Sequence, residues 1–105
     1  MSHITETLNQ RGNRYGEFNR HAEITQNIKK AMQDSPNWAT LKPWHREGLE
    51  MIAHKIGRIL NGDPNYDDSW HDIAGYAQLV EQIVRPPAPP VPPAVPMQNP
   101  MRGAL

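Results

Sequence analysis

The chain has 105 residues, 11 basic and 11 acidic, with no net charge at pH 7. One domain is the default at that length, and no global field draws such a chain to a nucleic-acid polymer or an anionic membrane. The absence of cysteine excludes disulfides and thiolate chemistry and suits a reducing cytoplasm; no apolar run is long enough to span a bilayer, and the polar start reads as no signal peptide.

Residues 1–16 read as an N-terminal arm, frayed even over Ser2 to Leu8, the stretch with some capacity for a helical turn. Gly12, Asn13 and Gly16 argue against continuous helix there. Arg11, Arg14 and Tyr15 in such a segment have two readings. Arginine offers a planar fork of donors for phosphate, and tyrosine offers a stacking face. Equally, the arm is solvated and Tyr15 lies on the bundle.

Residues 17–84 carry the helical domain. The first helix runs from Glu17 to Gln33 on a thin stripe of Phe18, Ala22, Ile28 and Met32, with Ile24 beside it. It ends at Asp34-Ser35-Pro36, because proline disfavours helix at the residue before it. Trp38 and Leu41 sit in the connector and either tuck onto the core or line a pocket. Pro43 suits the first turn of the next helix, where a missing N–H costs nothing. That helix continues to about Leu60 and stops at Gly62. Asp63-Pro64-Asn65 is turn chemistry, Asp67 or Asp68 is placed to cap the last helix, and that helix runs to about Val84.

Those last two helices form an antiparallel hairpin. Leu49, Ile52, Ala53, Ile56, Ile59 and Leu60 recur at helical spacing on one, and Trp70, Ile73, Ala77, Val80 and Val84 on the other. Lys55 and Arg58 flank one edge of the first stripe, and Asp68, Asp72 and Tyr76 one edge of the second. With the stripes facing, both edges fall on one side, so Arg58 is expected near Asp68 and Lys55 near Asp72. From residue 85 to 105 the composition turns to repeated proline, an extended, disordered tail whose PxxP spacing suits an aromatic groove on a partner. The expected fold is all-α: a three-helix core ending in the hairpin. With 37% hydrophobic residues and a foldable part this small, one core stabilises only marginally, and a homo-oligomer is expected.

Familiar catalytic sets are missing. No serine sits in G-x-S-x-G, there is no Walker loop, and His3, His21, His45, His54 and His71 form no H-x-x-x-H pair. His54 and His71 project away from the apolar stripes and read as surface residues. The hairpin groove remains. Lys55 and Arg58 suit phosphates; Asp68 and Asp72 suit hydrated Mg²⁺ or ribose and base donors; Tyr76 and Trp70 suit stacking on a base. The same residues also suit interhelical ion pairs with Asp68 as a cap. Gly57 and Gly75, costly mid-helix, point to close approach of another helix or of a ligand.

Tyr15-Gly16, Lys55-x-x-Arg58-x-x-x-Gly62 and Asp68-Ser-Trp-x-Asp72-Ile-Ala-Gly75-Tyr76 resemble a small helical domain family of bacteriophages and prophages, over roughly Arg11 to Val84. A more distant similarity is to MazG-type nucleotide pyrophosphohydrolases, which hold Mg²⁺ through an E-x-x-E and an E-x-x-D pair. Glu47 and Glu50 match the first pair; Asp68 and Asp72 do not match the second. The resemblance implies a phage protein in the cytoplasm of the infected host that sequesters a nucleotide-type ligand, a cyclic-nucleotide or ADP-ribose-like immune signal. The expected contacts are Arg11, Arg14, Tyr15, Lys55, Arg58, Asp68, Trp70, Asp72 and Tyr76, with no catalytic residue and no cofactor. Two alternatives stand beside it. One is a Mg²⁺-dependent hydrolase using Glu47, Glu50, Asp68 and Asp72. The other is a ligand-free oligomerisation or adaptor protein.

Overall fold

The computed structural model describes residues 3–85. The proline-rich, PxxP-bearing tail from Pro86 onward lies outside them. The described chain is all-helical: α1 (His3–Tyr15), α2 (Phe18–Gln33), a 3-10 turn (Trp38–Thr40), α3 (Pro43–Asn61) and α4 (Asp67–Val84). α3 is the central element, packed on α4 along one side and on α2 along another.

The hairpin forms as its periodicity dictates. Gly48 faces Val80 and Lys55 faces Asp72, so residue numbers rise on one helix as they fall on the other. Pro43 opens α3, and the Lys42 N–H donates to His45 Nδ1 at 3.0 Å. Gly62 closes it, its N–H donating to the Arg58 carbonyl. In the following turn the Asn65 N–H donates to Asp63 Oδ1 at 2.9 Å. Neither Asp67 nor Asp68 caps α4. The cap position is Tyr66, without a side-chain bond, and both aspartates lie inside the first turn. Negative charge there still suits the exposed N–H groups of the helix start.

One expectation fails in the N-terminal half. Residues 3–15 are not an irregular arm: helix runs through Gly12 and Asn13 to Tyr15. Gly12 costs about 1 kcal/mol within a helix, too little to break one by itself. The break comes at Gly16, whose φ of 80° is a left-handed turn that glycine adopts without strain. α1 buries none of its side chains. It is held at its end instead. Asn61 Nδ2 donates to the carbonyls of Tyr15 and Glu17, each at 2.9 Å, and the Asp63 N–H donates to the Arg14 carbonyl at 2.7 Å. A side chain at Gly62 would collide with the Arg14–Tyr15 backbone, so this corner needs glycine.

α2 turns its expected face inward, with Ala22, Ile24, Ile28 and Met32 half-buried, but polar residues within that arc take the deepest positions. Its buried residues are His21 and Thr25, while Phe18 is 77% exposed. The reason lies on α3. Gly57 leaves a notch where Thr25 and His21 touch the helix backbone, and larger apolar residues of α2 do not enter it. Trp38 and Leu41 are half-buried. Arg46 fixes the turn between α2 and α3, donating to the carbonyls of Trp38 and Ala39 with its guanidinium 5.6 Å from the Trp38 ring centre.

Among the described residues, Ala53 is the one apolar residue that is fully buried. The other buried positions are glycine or polar: His21, Thr25, Gly48, Lys55, Gly57 and Ser69. Leu49, Leu60, Trp70 and Val84, drawn from the expected core stripes, are each more than 40% exposed.

Candidate functional site: a cationic cavity beside a buried ion pair

The hairpin brings Lys55 and Asp72 together as its spacing required. Lys55 Nζ lies 2.9 Å from Asp72 Oδ2, with the lysine side chain 11% and the aspartate 36% exposed. The hydrogen bond from the ammonium holds the Asp72 carboxyl below its usual range, and desolvation opposes this. One turn on, half-buried Tyr76 joins Asp72, Gly75, His71 and Leu79 around an open groove of about 500 Å³. A Cβ on Gly75 would meet nothing, so Gly75 marks no helix contact, unlike Gly57.

Arg58 does not pair with Asp68. Its guanidinium carbon sits 4.2 Å over the centre of the Tyr15 ring, and no ion pair joins it to a carboxylate among the described residues. The cause is the docking of α1, which carries the Tyr15 face to the arginine. Asp68 stays exposed at the start of α4.

Arg58 and Tyr15 line a second cavity, of about 420 Å³, where α1, α2 and α3 meet. Arg11, Phe18, His21 and His54 share its wall with Leu8, Asn19 and one carboxylate, Glu17. Arg14, one turn from Arg11, turns elsewhere and lies 4.9 Å from the centre of the Tyr66 ring, which meets Tyr15 edge-on at 6.0 Å. Trp70 is also apart. Its indole N–H donates to the Pro64 carbonyl at 2.8 Å, and at about 100° per residue it lies about 160° round α4 from Asp72. The expected contacts thus fall into two groups: Lys55, Asp72 and Tyr76 at the hairpin, and Arg11, Tyr15 and Arg58 in the cavity. Arg14, Asp68 and Trp70 join neither.

The cavity also contains groups that the sequence reading passed over. His54 is not a surface residue: it is half-buried, its Nδ1 3.4 Å from His21 Nε2 and the rings nearly perpendicular at 4.6 Å. Burial pushes the His54 pKa down to about 4, and the charges of His21 and Arg58 add to the fall. Burial also lowers the pKa of His21, opposed by the Gly57 backbone beside it. No hydrogen bond of good geometry reaches His21 Nδ1. Both rings are therefore neutral at pH 7 and carry both donor and acceptor nitrogens. A signal for the pair was present in the chain. His21 and Thr25 share a face of α2, and a mid-helix glycine on α3 is the partner such polar residues need.

Glu47 is exposed and Glu50 half-buried on α3. They do not assemble with Asp68 and Asp72, and no three His, Asp or Glu side chains are grouped to hold a metal among the described residues.

Fold and site together define a small all-helical domain with an arginine-lined cavity at the junction of three helices. Residues 1–84 match DUF6378, a domain of unknown function, and the chain belongs to that family. No curated protein and no solved structure shows a match to it.

Proposed function

We propose that this protein binds and sequesters a nucleotide-type ligand in the cavity between α1, α2 and α3. The observation that carries this reading is Arg58: half-buried, facing a cavity, and without a carboxylate partner among the described residues. A part-buried guanidinium lacking an anion is a site for one, and phosphate matches its fork of donors. Arg11 supplies a second cation on the same wall. Tyr15 offers the edge and rim of a ring already oriented by Arg58, and the neutral His21–His54 pair offers hydrogen bonds without further charge.

The donor set favours holding over hydrolysis. Lys55 already neutralises Asp72, and Glu47, Glu50 and Asp68 are not gathered around it. In this reading the protein is phage-encoded, works as a homo-oligomer in the host cytoplasm, and withholds a cyclic-nucleotide or ADP-ribose-like signal of host defence. The support for that setting is the Lys55-x-x-Arg58 and Asp72-Ile-Ala-Gly75-Tyr76 resemblance.

The test is retention. The protein is incubated with a nucleotide panel with and without Mg²⁺, desalted, denatured, and the released compounds are identified. Intact ligand recovered from the wild type, with at least a tenfold loss of affinity in Arg58→Ala, is the expected result; one charged hydrogen bond of about 1.5–3 kcal/mol sets that scale. Recovery of monophosphate and pyrophosphate would make the protein a hydrolase. No retention would reject the ligand reading.

A further inference from the structure

The hairpin has a second use, carried by the residues it leaves uncovered. Leu49, Ile52, Ile56 and Ile59 on α3 and Trp70, Ile73, Ala77, Val80 and Val84 on α4 follow alternating steps of three and four, the spacing of a helical-bundle seam. Inside one chain only half of each seam is used. Ile52, Ile59, Ile73 and Val80 are half-buried, whereas Leu49 is 42%, Trp70 54% and Val84 57% exposed, with Ala77 exposed between them. Leu49, Ile52, Ala77, Val80 and Val84 together line an apolar groove of about 620 Å³ between the two helices.

We propose that this groove is the docking face for a second copy of the chain, two α3–α4 hairpins closing a four-helix bundle about a twofold axis. The inference rests on the homo-oligomer reading and specifies the surface that would make it.

Three observations point to self-docking. First, the need is permanent: with Ala53 as the one fully buried apolar residue, the described chain lacks the interior that stabilises a monomer. A partner present only at times would not meet it. Second, the face is electrically self-compatible. A twofold interface sets each patch against itself, so a net charge would repel its own copy. The charged rim residues Glu81 and Arg85 are already paired at 2.7 Å within one chain. Third, the size suits. α3 has 19 residues, about 28 Å at 1.5 Å per residue, and two helices each about 10 Å across present roughly 560 Å² in projection. The accessible area of a ridged surface exceeds its projection, which brings the face towards the ~800 Å² per partner of a standard interface.

The geometry also keeps this face clear of the cavity. At about 100° per residue, Leu49 and Ile56 lie about 140–180° round α3 from His54 and Arg58. Each copy in such a dimer would present its cavity outward.

The test uses the full chain. Sedimentation velocity should give twice the 11.9 kDa chain mass at micromolar concentration. Leu49→Glu and Val84→Glu should each weaken association on the order of 100-fold, because each places an unpaired carboxylate in a desolvated seam. Leu79→Glu, on the opposite side of α4, should leave the mass unchanged. Because the chain has no cysteine, Ala77→Cys gives a second measure that needs no folding of a charged variant. It should form an intermolecular disulfide under mild oxidation, and Leu79→Cys should not. A monomeric wild type would overturn the homo-oligomer reading and this interface with it. A wild-type dimer that persists in both Glu variants, or that Ala77→Cys does not cross-link, would overturn this interface alone.

Discussion

Replacing Gly57 by alanine tests the seat of α2 on α3. In an open helix the change gains about 1 kcal/mol, since alanine restricts the unfolded chain and favours helix. Here the added methyl would collide with Thr25 Oγ1 and come within 3.1 Å of His21 Cε1 and Nδ1. Thr25 is 3% and His21 4% exposed, so neither side chain has solvent to swing into. The helices must separate or tilt, and overpacking of this kind costs about 1–3 kcal/mol. With both side chains enclosed the upper part of that range applies, about 2–3 kcal/mol, and against a propensity gain of about 1 kcal/mol the net loss is about 1–2 kcal/mol. At about 4–8 °C per kcal/mol for a domain of this size, Tm should fall by about 5–15 °C. Thermal melts followed by circular dichroism at 222 nm measure it. Thr25→Ala removes the atom in the way, so the double variant should melt higher than additivity allows, with coupling of at least about 1 kcal/mol. Gly12→Ala and Gly75→Ala meet nothing within 4 Å and should instead gain up to about 1 kcal/mol each. A Gly57→Ala protein as stable as the wild type, or one not rescued by Thr25→Ala, would refute this account of the α2–α3 contact.

Stability should also depend on pH through the histidine pair. The His54 pKa falls from 6.5 to about 4 on folding, with His21 lowered in the same direction. The unfolded chain then binds more protons, so the stabilisation is complete above about pH 6.5 and lost as pH falls towards 4. Allowing for part exposure, His54 should account for about 1–2 kcal/mol of that loss, and urea midpoints for wild type and His54→Gln should converge near pH 4.5. The Lys55–Asp72 pair should be asymmetric. Lys55 is the buried partner, so Asp72→Ala strands a cation and should lower Tm more than Lys55→Met, which leaves a carboxylate that water reaches. Equal losses would contradict the difference in burial. Asn61→Ala removes both bonds that clasp the α1–α2 corner. Because α1 buries no side chain, the effect should be local: faster amide exchange and proteolysis across residues 3–15, with a small change in global Tm.

What the sequence by itself determined is what local spacing encodes. Pro36, Pro43 and Gly62 set helix ends within a residue or two, because proline and glycine act on their own backbone. The two apolar stripes set the hairpin, and the hairpin placed Lys55 against Asp72, since a shared rotational edge is a property of each helix alone. Only the tertiary structure decided the rest. Arg58 met Tyr15 rather than Asp68 because α1 is clasped by Asn61, 46 residues from Tyr15, and no periodicity records so distant a contact. His21 and His54 met because Gly57 admits polar residues of α2 that a hydrophobic stripe passes over. The cavity is the product of those two long-range contacts, so its wall could not be read from any one helix.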